Sequence, residues 1–157
     1  MTGARSTIAK TTAAIGAAAA LAFALAAFTR GPEPEAAPLD VATVATSAGP
    51  ITVEIASDPA TRARGLMYRQ TMPRDHGMWF VYPSEAPRAF WMKNTPLPLD
   101  IVFVAGDGRV VSIAHDATPF STDPIPSAAP ARFVLEVNAG VADEIGLAPG
   151  DRLTLQD

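Results

Sequence analysis

Short segments in which apolar and polar residues alternate recur from residue 41 to the end of the chain. In Ile51–Ile55 three aliphatic residues alternate with a threonine and a glutamate, and Arg132–Val137 shows the same pattern. A period of two residues is typical of a strand with one buried and one solvated face. Between two further predicted strands, at residues 99–105 and 109–115, Gly106-Asp107-Gly108 predicts a hairpin turn. Alternation over such short segments favours a mainly β fold.

The remaining patterns extend this prediction to a whole domain. Strands are predicted at residues 41–46, 51–56, 77–82, 88–92, 99–105, 109–115, 132–137 and 151–155. Ser57 or Asp58 can cap a short helix with Pro59 in its first turn, and Asn138 can cap a second helix that ends at Gly146. Residues 117–130 predict a long loop. We therefore predict one compact, mainly β domain, a sandwich or partly closed barrel of about seven short strands with two short helices.

The N-terminal region predicts export. Arg5 and Lys10 precede an uncharged, alanine-rich segment at residues 11–28, which is the order found in secretory signal peptides. Removal of residues 1–26 would leave residues 27–39 as a proline-rich, disordered linker before a domain at residues 40–157. A retained anchor is the alternative, because residues 11–28 are at the lower limit of length for crossing a bilayer. We expect a periplasmic or secreted protein, or one anchored to the inner membrane by this segment alone.

Composition excludes several kinds of site. The chain has no cysteine, which rules out disulfides, thiolate metal sites and cysteine nucleophiles. Its net charge of −4 lacks the basic excess of nucleic-acid-binding domains, so we expect no nucleic-acid partner. The sequence has no phosphate loop or dinucleotide fingerprint, and we expect no cofactor. Four methionines and His76 lie between residues 67 and 92 without the tight spacing of a copper site, so we expect core packing and no metal.

Six ordered blocks of sequence carry a resemblance to a known family. They are Arg64–Arg69, Gly77–Phe80, Phe90–Thr95, Pro98–Phe103, Val134–Gly140 and Gly150–Asp151. The blocks cover about residues 50–155 and resemble the domain of unknown function 192 family. The resemblance implies a compact, mainly β domain that often follows a signal peptide. It implies no activity, so no catalytic residue is carried over.

Polar side chains in apolar surroundings are the candidate site residues. Lys93 and Asn94 end an aromatic strand, Asp100 interrupts an apolar one, and Glu136 shares a strand face with aliphatic residues. Because an unpaired buried charge is costly, we expect Lys93 to be coupled to Asp100 or Glu136. Two interpretations stay open. The residues form a pocket into which Arg64 reaches, or they fasten loops through hydrogen bonds and ion pairs.

Three hypotheses about function follow. In the first, which we favour, aromatic residues that include Trp79 and Trp91 rim a groove, where the polar residues bind a small ligand or an extended segment of an envelope protein without catalysis. In the second, Asp100 and Glu136 are the carboxylate pair of a hydrolase, which requires roughly 5–10 Å between them across an open cleft. In the third, the domain is a structural accessory without a pocket.

Overall fold

The computed structural model describes residues 38–156, so the predicted signal peptide, anchor and most of the linker lie outside the described residues. The strands are β1 Val41–Thr46, β2 Gly49–Ala56, β3 His76–Ala86, β4 Ala89–Phe90, β5 Leu99–Val104, β6 Val110–Ala117, β7 Ile125–Pro126, β8 Ala131–Asn138 and β9 Thr154–Gln156. The helices are α1 Pro59–Arg64 and α2 Val141–Glu144. Neither of these two helices is long and apolar enough to cross a membrane. The prediction of a mainly β domain with two short helices is confirmed.

Seven strands form one sheet in the order β6-β5-β8-β3-β2-β1-β9. Neighbouring strands are antiparallel except β2 and β3, which are parallel and are connected through α1. Within residues 38–156, an isolated bridge between Arg109 and Arg152 is the one pairing that links the strand segments near the two edges. The sheet is therefore not closed into a barrel, and the domain has the sandwich-like form of the two predicted architectures. The short strands β4 and β7 pair separately.

Alternating side chains of the sheet form two hydrophobic cores, one on each face. Trp79 and Val102 belong to the first core, which α2 covers. Phe80 and Phe103 belong to the second core, which is covered by the segment after α1 and the loop before β5. Because successive residues of a strand point to opposite faces, the position of a polar residue within its strand decides which core it meets.

Most predicted elements are present, and the differences have local causes. Asp58 caps α1, since its carboxylate accepts hydrogen bonds from two backbone amides of the first turn at 2.8 and 3.1 Å. Asn138 does not cap α2, because its side chain donates instead to two carbonyls of the loop before β3 at 3.0 and 3.1 Å. The predicted strand at 88–92 is reduced to β4, since the amide of Met92 bonds to the loop at residues 117–130 rather than to a strand.

Candidate functional site

A pocket of about 170 Å³ lies on the second face of the sheet, where the end of α1 approaches β4. Its walls are largely apolar and aromatic, and two arginines belong to its rim. The lining residues are Arg62–Met67, Phe80, Tyr82, Ala89–Trp91, Thr95 and Glu136. We call this cavity the Glu136 pocket. It combines an apolar interior with few polar groups, which is the usual composition of a small-molecule site.

Glu136 lies at the floor of the pocket, within β8. Its strand neighbours are Met78 and Ile101, both buried in the second core. The residue is 5% exposed, and among the described residues its carboxyl group has no hydrogen-bond or ion-pair partner. Burial raises the pKa of Glu136 to about 8, because apolar surroundings disfavour the charged form. At neutral pH the side chain is thus a neutral acid that can donate as well as accept a hydrogen bond.

The sequence after α1 lets the backbone come close to this carboxyl group. Asp58 and Thr61 form a capping box that fixes the start of α1, and the helix ends at Gly65, whose φ of 49° favours glycine. A β-carbon at position 65 would lie 3.2 Å from Cζ of Phe80 and 3.9 Å from Oε2 of Glu136. The missing side chain therefore leaves space for the cavity above these two residues.

Arginines place positive charge around the pocket. The guanidinium of Arg62 donates to two backbone carbonyls and lies 5.0 Å from the ring centroid of Tyr82. The guanidinium of Arg88 lies 3.9 Å from the same centroid. Arg64 is exposed, and its side chain makes no hydrogen bond or ion pair within residues 38–156. Arg62 and Arg88 are fixed by the protein, whereas Arg64 is available to a bound group.

The loop after β4 borders the mouth of the pocket. Trp91 lines the mouth and is 49% exposed, and the ammonium of Lys93 lies 5.1 Å from its ring centroid. The side-chain amide of Asn94 donates to the hydroxyl of Tyr68 at 2.8 Å, while the carbonyl of Asn94 accepts from the amide of Tyr68. The backbone of both residues is left-handed, with φ of 55° at Asn94 and 65° at Tyr68. This conformation is uncommon for a bulky residue such as tyrosine. Asn94 thus holds the loop conformation beside the pocket and does not line it.

Asp100 lies on the opposite face of the sheet and stabilises local structure. In the pairing of β5 with β8 it faces Val137, whereas its neighbour Ile101 faces Glu136. It is fully buried, and its carboxylate accepts hydrogen bonds from two backbone amides, one before the end of β6 at 3.0 Å and one in the first turn of α2 at 2.9 Å. The carboxylate pair of the hydrolase hypothesis is therefore not assembled, because the two side chains meet different cores.

The structure corrects two further expectations. Trp79 does not rim the pocket, since it is 2% exposed, belongs to the first core and stacks on Phe133 with ring centroids 5.3 Å apart. Lys93 forms no ion pair with Asp100 or Glu136, because it is exposed and its ammonium lies over Trp91. The predicted pocket of Lys93, Asn94, Asp100 and Glu136 is thus divided between a mouth loop, a cap of α2 and a cavity floor.

Three of the predicted site residues do come together, since Arg64, Trp91 and Glu136 line one cavity. Of the other lining residues, Arg62 was not predicted from the sequence, whereas Phe80, Tyr82 and Phe90 belong to the aromatic residues expected to rim a groove but were not named as site residues. The alternation of side chains along β3 could have identified two of them. Phe80 and Tyr82 are two residues apart and share one face of the strand, whereas Trp79 lies on the other face. Among residues 38–156 no group of three or more His, Asp or Glu side chains is arranged to hold a metal ion.

Comparisons with known proteins match the domain that contains this pocket. The profile of the DUF192 family, described as Uncharacterized ACR, matches residues 41–155. A solved structure of a proposed transcription regulator from Sinorhizobium meliloti 1021 is 44% identical, with a TM-score of 0.72, over 75% of this chain and 95% of that chain. A protein of unknown function from Novosphingobium aromaticivorans DSM 12444 is 38% identical, with a TM-score of 0.69, over 78% of this chain and 89% of that chain. No curated protein matches the chain.

Proposed function

We propose, for a chain that belongs to the uncharacterised DUF192 family, a function that is argued from the site alone, because the family name supplies no activity. The protein is a binding module that holds a small ligand in the Glu136 pocket. The carboxyl group of Glu136 carries this proposal, since it is buried, has no polar partner among the described residues and faces an open cavity. Its oxygens are reached from the cavity, so a ligand that enters the pocket can bond to them directly.

The lining residues favour binding without catalysis. Glu136 is the one acidic residue among the described residues that line the pocket. Hydrolysis of a glycosidic bond by the usual mechanism needs a second carboxyl group on the other side of the substrate. The aromatic walls and the exposed face of Trp91 instead suit an apolar body held by contact, with polar groups at one end to orient it.

We also propose that this module is located in the cell envelope. That part rests on the basic and then uncharged sequence of residues 1–28, which has the order of a secretory signal. We do not propose a nucleic-acid partner, although the Sinorhizobium meliloti relative is described as a proposed transcription regulator. Residues 38–156 carry 13 acidic and 9 basic side chains, which is the opposite of the balance that attracts phosphate backbones.

Native mass spectrometry of the full chain, purified from its own cells, tests the binding function. Ala63 is exposed and lines the pocket, so Ala63→Phe is expected to fill the mouth. Ala60 is exposed on the same helix and does not line the pocket, so Ala60→Phe is the matched control. We expect a small adduct that the unaltered chain and the control retain and that Ala63→Phe loses. An adduct of equal occupancy in both variants would contradict the proposal.

A further inference from the structure

We propose that the ligand of the Glu136 pocket is a small organic anion, whose acidic group lies between the guanidinium of Arg64 and the carboxyl group of Glu136. The apolar part of the ligand would contact the aromatic walls that Phe80 and Phe90 supply. This inference rests on the proposed function, because it requires that the pocket binds a ligand. It adds the sign of the ligand's charge, which an experiment can test separately.

The charged side chains around the cavity favour an anionic ligand. Arg62 and Arg64 line the pocket, and Glu136 is the one acidic residue among the described lining residues. Lys93 stands at the mouth, over Trp91. With the carboxyl group protonated, the site is positively charged and would attract an anion. Arg64 has no ion pair within residues 38–156, so its planar guanidinium can form paired hydrogen bonds to a carboxylate or a similar oxyanion.

The aromatic side chains argue against the opposite charge. An organic cation would need free aromatic faces, since cations bind above such rings. The ring of Tyr82 already has Arg62 and Arg88 over it, with guanidinium carbons 5.0 and 3.9 Å from the centroid. The ring of Trp91 has the ammonium of Lys93 over it at 5.1 Å. Cations of the protein thus already lie over both rings, and their positive charge would repel an organic cation bound beside them.

The state of Glu136 completes the site. The charged or titratable groups on the surrounding elements are Arg62 and Arg64 at the end of α1, Tyr82 on β3, Arg88 just before β4 and Lys93 in the loop after β4. The facing residues of β4 and β5 are apolar. Burial raises the pKa of Glu136 to about 8. Burial also raises the pKa of the Tyr82 hydroxyl, where the positive charges of Arg88 and Arg62 partly oppose the effect. A neutral carboxyl group can donate a hydrogen bond to an anion, whereas its ionised form repels one.

Binding of an anion should therefore weaken as the pH rises through the pKa of Glu136. At about pH 9 roughly one molecule in ten retains the proton if the pKa is about 8, so the dissociation constant rises about tenfold relative to about pH 6. Binding of a cation would show the reverse trend, because ionised Glu136 would then be its counter-ion. The direction of the pH dependence thus distinguishes the two ligand classes.

A set of three probes of similar shape and different charge tests the inference: benzoate, benzamide and benzylamine. Each is titrated into the full chain while NMR follows the indole signal of Trp91 and the carboxyl carbon of Glu136. We expect benzoate to bind at least about tenfold more tightly than the other two at about pH 6. Arg64→Gln should remove most of this preference, and Arg109→Gln, at an exposed position away from the pocket, should not. Glu136→Gln should remove the pH dependence of benzoate binding.

The outcomes separate the inference from the function on which it rests. If benzamide or benzylamine binds as tightly as benzoate, the pocket binds ligands but does not select anions, and the inference is overturned alone. An Arg64→Gln variant that keeps the full preference for benzoate would overturn it as well. If none of the three probes shifts either signal, the inference is overturned, and the proposed function then stands or falls with the adduct that native mass spectrometry detects in the unaltered chain and not in Ala63→Phe.

Discussion

Replacing Glu136 by glutamine should make the protein more stable at neutral and alkaline pH. The variant keeps the shape of the side chain but cannot ionise. In the wild type, burial raises the pKa of this carboxyl group from its ordinary 4.5 to about 8. Between these two values the unfolded chain has lost the proton and the folded chain has kept it. Folding then takes up a proton, so the free energy of unfolding falls as the pH rises.

The size of the effect follows from this difference in proton binding. Each pH unit between 4.5 and about 8 lowers the free energy of unfolding by about 1.4 kcal/mol, so the whole interval corresponds to about 5 kcal/mol. The contribution of Glu136 is fully present below about pH 4.5 and is lost by about pH 8. Glu136 is 5% exposed but lines the cavity, so solvent in the pocket lowers this value and about 5 kcal/mol is its upper bound.

Urea denaturation of the full chain at several pH values between about 5 and 8 measures the effect. The quantity of interest is the free energy of unfolding of Glu136→Gln minus that of the wild type, since this difference cancels the titration of other groups. We expect the difference to grow steadily with pH. The matched control is Glu144→Gln, because Glu144 is an exposed carboxylate that pairs with Arg74 at the surface. Parallel pH profiles of wild type and Glu136→Gln would refute the reasoning.

Four other substitutions test the fold, and urea denaturation or thermal melting measures each. Asp100→Ala should lower the free energy of unfolding by roughly 2–6 kcal/mol, because two backbone amides lose their acceptor; a loss below about 1 kcal/mol would contradict the capping role. Asp58→Ala should cost about 1 kcal/mol through loss of the α1 cap, and no change would show that the cap is dispensable. Gly77→Ala should prevent folding, since a β-carbon there would overlap the backbone carbonyl of Glu136, and a native-like melting curve would contradict this packing. Lys93→Met should change stability by less than about 1 kcal/mol, because the ammonium is exposed over an aromatic ring; a larger loss would indicate a buried ion pair.

Local patterns in the sequence predicted the elements well. The Ser57-Asp58-Pro59 segment indicates the start of α1, and the structure places Asp58 at its cap. Alternation in β8 puts Glu136 on the same face as Val134, as expected from the sequence. These features depend on residues that are close together along the chain, so their physical causes can be recognised without knowledge of the whole fold.

The candidate site was only partly predictable, because it depends on how distant strands pair. Asp100 and Glu136 both interrupt apolar strands, and nothing in either segment reveals that the register of β5 with β8 directs them to opposite faces. The adjacent residues Trp79 and Phe80 likewise enter different cores. The sequence shows that Trp79 and Phe80 must face opposite sides of the sheet. Which side carries the pocket depends on the connection through α1 between the parallel strands β2 and β3.

The protonation of Glu136 tests the central claim most directly. NMR can follow the carboxyl carbon of this side chain in the full chain while the pH is raised from about 4 to about 10, with Glu144 as an exposed reference in the same sample. We predict that the signal of Glu136 titrates with a midpoint near the pKa of about 8 that burial gives it, and that addition of benzoate moves this midpoint upward, because a bound anion favours the protonated acid. A midpoint close to that of Glu144, unchanged by benzoate, would contradict the claim that Glu136 is the buried acid of a ligand pocket.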